Sequence, residues 1–480
     1  MAAPRAGIAV ALLLLGAADT ANRGPGDSAG TLAVTLEASP QTLHFGGAAV
    51  DGMTYNGDYA GPVLRVRPGE RLQVDLINHL AEPTNLHFHG IKASPLGHGD
   101  NVHVVVEPDA RFRYDLIIPP DQSPGLYWYH AHLHGLSEGQ IRGGLSGAIV
   151  VEGLAERFPE LAGLGEDLFV LKDIEYDEST DPIIEDQFHE LIQSINGSTM
   201  IEKRLRPGET RLWRFGNQSA NLYFHLGVAG HKFRVVAEDG IAVQNAIDLD
   251  RLDIKPAARL EVLVTGGAPG VYDLVSYGVP TGAGAAFSPN RVLGHVTVDG
   301  APAPPIALPI PASPAADLSD RTIDAVRRFE FSQSLDGERF FIDGRLYDHD
   351  RMDVRVPLGH VEEWTIRNAS DDLHVFHIHQ VSFQIVEING RKQPFNGQVD
   401  IARVPERGEI KIRLAFTDPR IVGRFVFHCH VLKHEDKGMM ANIEVYDPAA
   451  GGLFHRFQAL LERARLAVLG LPAALCGRPG

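Results

Sequence analysis

One pattern, a turn followed at fixed distance by an asparagine, occurs three times in this chain. It limits the possible folds more than any other feature. Pro68-Gly69-Glu70 precedes Asn78, Pro207-Gly208-Glu209 precedes Asn217, and Pro357-Leu358-Gly359 precedes Asn368. The asparagine stands nine positions after the glycine in every copy, with a largely apolar run between. The copies lie about 140 and 150 residues apart, the usual size of a domain. Other short apolar runs, such as Leu64 to Ile77, Phe112 to Ile118, Leu145 to Val151 and Ile410 to Phe416, are separated by turn residues from a pool of 50 Gly and 31 Pro. The reading is an all-β chain of three similar sandwich domains. The expected boundaries are 30–152, 165–300 and 319–447. Residues 301–318, with Pro302, Pro304, Pro305, Pro309, Pro311 and Pro314, form an extended linker between the second and third.

Composition sets the compartment and excludes some partners. The chain is 44% hydrophobic and 22% charged over 480 residues, which is ordinary for packed protein and excludes general disorder. A net charge of −17 argues against nucleic acid, which needs a basic surface. Cys429 and Cys476 are the two cysteines, so no disulfide framework is expected. Arg5 followed by the apolar run Gly7 to Ala18 reads as a signal peptide over residues 1–18. That run is shorter than the roughly 20 residues of a bilayer span. The expectation is an exported protein, periplasmic or extracellular, with no transmembrane segment; an uncleaved N-terminal anchor is the alternative.

Histidine carries the chemistry. With 22 His in the chain, chance predicts roughly one His-x-His pair. Five occur: His87/His89, His130/His132, His132/His134, His377/His379 and His428/His430. On a strand, residues i and i+2 share one face about 6.6 to 6.8 Å apart. Two imidazoles so placed reach different ions of a metal pair spaced about 3.5 to 4 Å. Counting from the repeat asparagines aligns His87 with His377 and His89 with His379. The same offsets in the middle copy give Leu226 and Val228. A multinuclear metal cluster is therefore expected between the first and third domains, with the second as spacer. Cys429, between His428 and His430, faces the other way. With His374, His434 and Met439 it offers the ligand types of a blue-copper electron-transfer site. Taken alone, Cys429 also reads as a small buried hydrophobe.

The segments NLHFHG (85–90), WYHAH (128–132), HVFHIH (374–379) and HCHVLKHEDKGM (428–439) resemble the four copper motifs of the multicopper oxidases, in a resemblance running from about residue 30 to 447. It implies cupredoxin-like Greek-key sandwiches holding four copper ions. Type 1 copper would take His374, Cys429 and His434, with Met439 axial. Type 2 would take His87 and His377, and the type 3 pair His89, His130, His132, His379, His428 and His430. Substrates would donate electrons at His434, and O2 would be reduced to water at the cluster. Glu435 and Asp100 resemble proton-relay positions; the other reading of each is a structural or solvated carboxylate. His134 falls at a position that is not a ligand in the family. Gln380 stands where a glycine often follows the last histidine of the third motif.

For the reductant, a laccase-like oxidase of phenols and aromatic amines is expected. A metallo-oxidase of Cu(I), Fe(II) or Mn(II) is the alternative, disfavoured by only six Met and no cluster of them beyond Met439-Met440. A non-enzymatic relative would be expected to have lost ligands. The tail over 448–480 has the apolar spacing of an amphipathic helix.

Overall fold

The computed structural model describes residues 30–45, 48–176, 190–278, 290–306, 308 and 312–450. The expected signal peptide, nearly all of the expected tail helix and Cys476 lie outside these residues.

Among the described residues strands make up 51% and helices 6%, and these strands form six sheets in three face-to-face pairs. The three pairs repeat one plan. One sheet of each is built around a parallel pair: Thr31–Phe45 with Arg71–Asn78, Glu166–Tyr176 with Thr210–Asn217, and Ala325–Gln333 with Val361–Asn368. The second sheets correspond equally well. In the first sandwich Leu64–Val66, Ser146–Val151, Gly125–His130 and His87–His89 lie side by side. In the third the order is Val354–Pro357, Met440–Tyr446, Gly423–Cys429, His374–Ile378 and Ile401–Val404. These are cupredoxin-type sandwiches, as expected. The apolar run Leu64 to Ile77 is one feature in sequence but two strands in space. Its Pro68-Gly69 turn sends Leu64–Val66 into one sheet and Arg71–Asn78 into the other.

The repeat now has a physical reason. Gly69, Gly208 and Gly359 all have positive φ (85°, 77° and 102°), which costs glycine little and other residues more. Each repeat asparagine is buried and ties down the loop after its strand. Asn368 Nδ2 donates to the carbonyls of Asp372 and Val404, and its Oδ1 accepts from Ser370 N at 2.8 Å. Asn78 binds Glu82 O, Val106 O and Leu80 N in the same way, and Asn217 binds Leu222 O, Ile254 O and Ser219 N. The held loop leads in each case to the strand of interest: His87–His89, Phe224–Val228 or His374–Ile378. Asn217→Ala is expected to destabilise the protein by about 1–3 kcal/mol, because it orphans buried backbone groups. Chemical denaturation at unchanged copper content checks this.

Each sandwich has its own core. Trp213 and Trp364 are among the largest side chains buried in the second and third, while Trp128, on a strand of the first, packs with the core of the third. In the middle copy Leu226 and Val228, at the positions aligned with His377 and His379, belong to the apolar core.

Candidate metal centre

Two short antiparallel pairings bring the histidines to equivalent places. In the first sandwich His87 pairs with His130 across neighbouring strands. In the third His377 pairs with His428. Of the four pairs, only His87/His89 has both members within one strand. His132, His379 and His430 each fall just past a strand end, where the backbone turns and the ring is aimed into the junction. The first and third sandwiches face each other there. His87 stacks on His379 at 3.7 Å and His89 on His377 at 4.0 Å, both with ring planes within 13°. Eight imidazoles meet in this junction, all at most 2% exposed.

Their inward nitrogens meet only one another or no partner at all. The Nε2 atoms of His132, His379 and His428 lie 3.2 to 3.3 Å apart. His87 Nε2, His89 Nδ1, His130 Nε2, His377 Nε2 and both nitrogens of His430 are buried with no hydrogen bond. Such groups are normally satisfied. Metal ions would satisfy them, and the set fits such ions because the opposite nitrogen is usually committed elsewhere. His87 Nδ1 donates to Asp100 at 3.0 Å, His130 Nδ1 to Ala131 O at 2.9 Å, His377 Nδ1 to Asp400 O at 2.8 Å and His89 Nε2 to Asp400 Oδ1 at 3.2 Å. These outer bonds fix tautomer and ring orientation, as in known metal sites. Burial, with the neighbouring rings, holds His87, His89, His377, His379 and His430 well below the usual imidazole range, so they are neutral and can ligate.

The second site lies on the other side of the strand Gly423–Cys429. His374 Nδ1 and His434 Nδ1 are 3.0 Å apart, and Cys429 Sγ is 3.6 Å from each. Val375 N–H donates to the sulfur at 3.4 Å. Burial pushes the Cys429 thiol up to about 12, against the pull of backbone N–H groups. Metal binding there must displace a proton. Ser370 Oγ lies 2.9 Å from His374 Nε2, which leaves Nδ1 free to ligate. The buried Met439 belongs to the surrounding core; its N–H donates to His434 O, and its carbonyl accepts from Cys429 N. Phe340 stacks on His434 at 4.1 Å. His434 is 8% exposed and the other eleven predicted ligands 2% or less, so it is the member nearest solvent.

Three carboxylates surround the eight-histidine group. Glu435, fully buried in the one-turn helix Leu432–Asp436, places Oε2 2.8 Å from His428 Nδ1 and Oε1 3.7 Å from His132 Nδ1. Burial raises its carboxyl, but His428, His132 and His430 outweigh this and hold it well below the usual range. Asp100 returns to His87 because its loop closes tightly: Asp100 N donates to Ser94 O, and a Cβ on Gly99 would collide with that oxygen. Burial lifts the Asp100 carboxyl to about 7, against hydrogen bonds from Phe88 N and Gln380 Nε2. Gln380 keeps the positive φ (63°) at which glycine is commoner, and its amide binds Asp100 at 2.6 Å. Asp400 is the third carboxylate, and nothing in the sequence spacing hints at it. A cavity of about 40 Å³, lined in part by Lys92, Gln122, Tyr127, Gln380 and Asp400, adjoins this side and has room for water. His134 lies apart, its ring against Tyr347.

Comparison with known proteins agrees with this geometry. Sequence patterns of the family described as "Multicopper oxidase" match residues 37–156, 181–298 and 318–449. A multicopper oxidase from Staphylococcus aureus is 25% identical over 436 residues, covering 87% of this chain and 90% of that protein. The structure of a Campylobacter jejuni multicopper oxidase, described as a metallo-oxidase, superposes with a TM-score of 0.75 at 26% identity, over 87% of this chain and 92% of that one. A laccase-like multicopper oxidase from Ochrobactrum sp., described as active towards lignosulfonate, gives 0.71 at 28% identity, over 86% and 97%.

Proposed function

The chain belongs to the multicopper oxidase family, and from that premise we propose that it is a laccase-like oxidase of phenols and aromatic amines. It is a copper-dependent oxidoreductase with O2 as acceptor and four copper ions as cofactor. We assign type 1 copper to His374, Cys429 and His434 with Met439 axial, type 2 to His87 and His377, and the type 3 pair to His89, His130, His132, His379, His428 and His430. The domain boundaries proposed with this assignment are 30–152, 165–300 and 319–447, with 301–318 as linker.

Copper supplies single-electron transfer and, as a cluster, the four-electron reduction of O2. The protein's part is to admit electrons, hold the ligands and deliver protons. His434 is the electron entry because it is the most exposed of the twelve. Cys429 and its neighbours His428 and His430 give a continuous covalent path from one site to the other. We assign the proton relay to Glu435 and Asp100, each a buried carboxylate in contact with a ligand imidazole: ionised Glu435 takes up a proton and passes it on, and Asp100 holds one near neutral pH. Export, read from the Arg5 and Gly7 to Ala18 segment, belongs to the same proposal. Among the described residues no helix is long and apolar enough to cross a membrane.

The observation that favours an aromatic reductant is the apolar backing of the entry point, where the buried ring of Phe340 stacks on His434. The metallo-oxidase reading draws on the likeness to the Campylobacter jejuni metallo-oxidase and on two carboxylates in the same segment, Asp336 and Glu338. Both carboxylates are already engaged, with Ser334 and Lys437 respectively. Oxygen consumption by copper-loaded protein with dimethoxyphenol, Cu(I) and Fe(II) in parallel tests the choice. Fast phenol turnover is expected; negligible phenol turnover beside fast metal-ion turnover reverses it. Met439→Leu is expected to raise the type 1 potential by removing the axial thioether. Redox titration checks this, and an unchanged potential contradicts the axial assignment.

A further inference from the structure

The middle sandwich carries none of the proposed ligands, yet one of its side chains reaches the junction. Arg259, in the strand Arg259–Thr265, is 1% exposed. Its guanidinium grips Asp400 with two bonds, Nη1 to Oδ1 at 2.8 Å and Nη2 to Oδ2 at 2.6 Å. Nη1 also donates to Ala257 O at 3.0 Å, and Nε to Leu126 O at 3.3 Å. Leu126 belongs to the first sandwich and Asp400 to the third, so one arginine joins all three.

Asp400 passes the constraint on. Its Oδ1 accepts from His89 Nε2 and its carbonyl from His377 Nδ1. One residue thus orients an imidazole from each half of the cluster, the two that stack on each other at 4.0 Å. Asp239, also from the middle sandwich, accepts from the backbone N–H groups of Asp400 and Ile401. Gly90, directly after His89, closes over the pair: a Cβ there would lie 2.7 Å from Asp400 Oδ2 and 2.9 Å from Arg259 Nη2.

We propose that Arg259 is a positioning residue of the cluster, acting through Asp400 on His89 and His377. The middle sandwich is then a working support of the copper site. A fork of donors is required because four acceptors in different directions must be met at once. A lysine offers only a point charge. This inference rests on the ligand assignment above.

The test uses Arg259→Lys and Asp400→Asn in the full chain. Copper is titrated against a competing chelator, with the type 1 thiolate band, the type 2 EPR signal and the near-ultraviolet absorption of the type 3 pair followed in parallel. Melting of the copper-free protein is the fold control. Affinity for cluster copper is expected to fall about 10- to 100-fold, as for other outer supports of metal ligands. The type 2 signal is expected to shift while the type 1 band keeps its full intensity. Asp400→Asn keeps the shape of the clamp, and Asp239 remains 3.6 Å from Arg259, so it carries the test if Arg259→Lys does not fold. Unchanged cluster affinity and spectra in the folded variants overturn the proposal. Parallel loss of type 1 and cluster copper also overturns it, since that marks general loosening. If the unsubstituted protein does not bind four copper ions, the ligand assignment fails first and the role of Arg259 falls with it.

Discussion

Cys429→Ser is expected to leave a folded protein that no longer oxidises any reductant. The side chain is fully buried, and serine has nearly its shape. What changes is the donor. Thiolate is a soft ligand suited to copper, and a hydroxyl is a poor one. Two imidazoles with their Nδ1 atoms 3.0 Å apart remain, without the sulfur that completes the set. The residue is also the covalent link between the two sites. Turnover is expected to fall by more than the roughly 10- to 100-fold typical of outer-shell changes, because a ligand itself is lost. The blue thiolate-to-copper band should vanish with it. Copper analysis should show one ion fewer per chain, and the EPR signature of the cluster should persist. Substantial residual turnover would remove Cys429 from the electron path.

Glu435→Gln separates electron entry from proton delivery. The glutamine keeps the shape and can still contact His428, but it can neither take up a proton nor pass one on. Glu435 lies 2.8 Å from His428 Nδ1 and 3.7 Å from His132 Nδ1, on the protein side of the cluster. General acid catalysis contributes typically about 10²- to 10⁴-fold. Steady-state O2 consumption is expected to drop by at least about 10²-fold on that basis. Anaerobic reduction of the type 1 site by substrate should run at the unsubstituted rate, since Cys429, His374 and His434 are untouched. Slowing of both steps alike would make Glu435 a structural carboxylate. Asp100→Asn should act in the same direction on the side of His87.

The parts of the site that are legible in the sequence are those encoded by short-range spacing. A period of two places His87 and His89 together, and the repeat asparagines align them with His377 and His379. The supporting contacts have no such signature. Asp400 touches His89 from 311 positions away, and Arg259 meets Asp400 across 141. Contacts between separate sandwiches leave no periodic trace, so neither residue stands out in the chain. The middle copy shows the same limit: with Leu226 and Val228 in place of ligands it reads as a spacer, and Arg259 lies outside the repeat. Gln380 is an intermediate case. It is visible as a departure from the motif, but its bond to Asp100 emerges only when the loop after Ser94 folds back. The fold is more accessible. Turn glycines and buried asparagines act locally, and each copy repeats the same hydrogen bonds.

The central claim is that twelve side chains from the first and third sandwiches hold four copper ions in two kinds of site. Copper stoichiometry measured together with the visible and EPR spectra of fully loaded protein tests it most directly. The predicted result is four ions per chain, an intense thiolate-to-copper band, separate type 1 and type 2 EPR signals and an EPR-silent type 3 pair. Fewer than four ions at saturation, or full loading without the thiolate band, would contradict it.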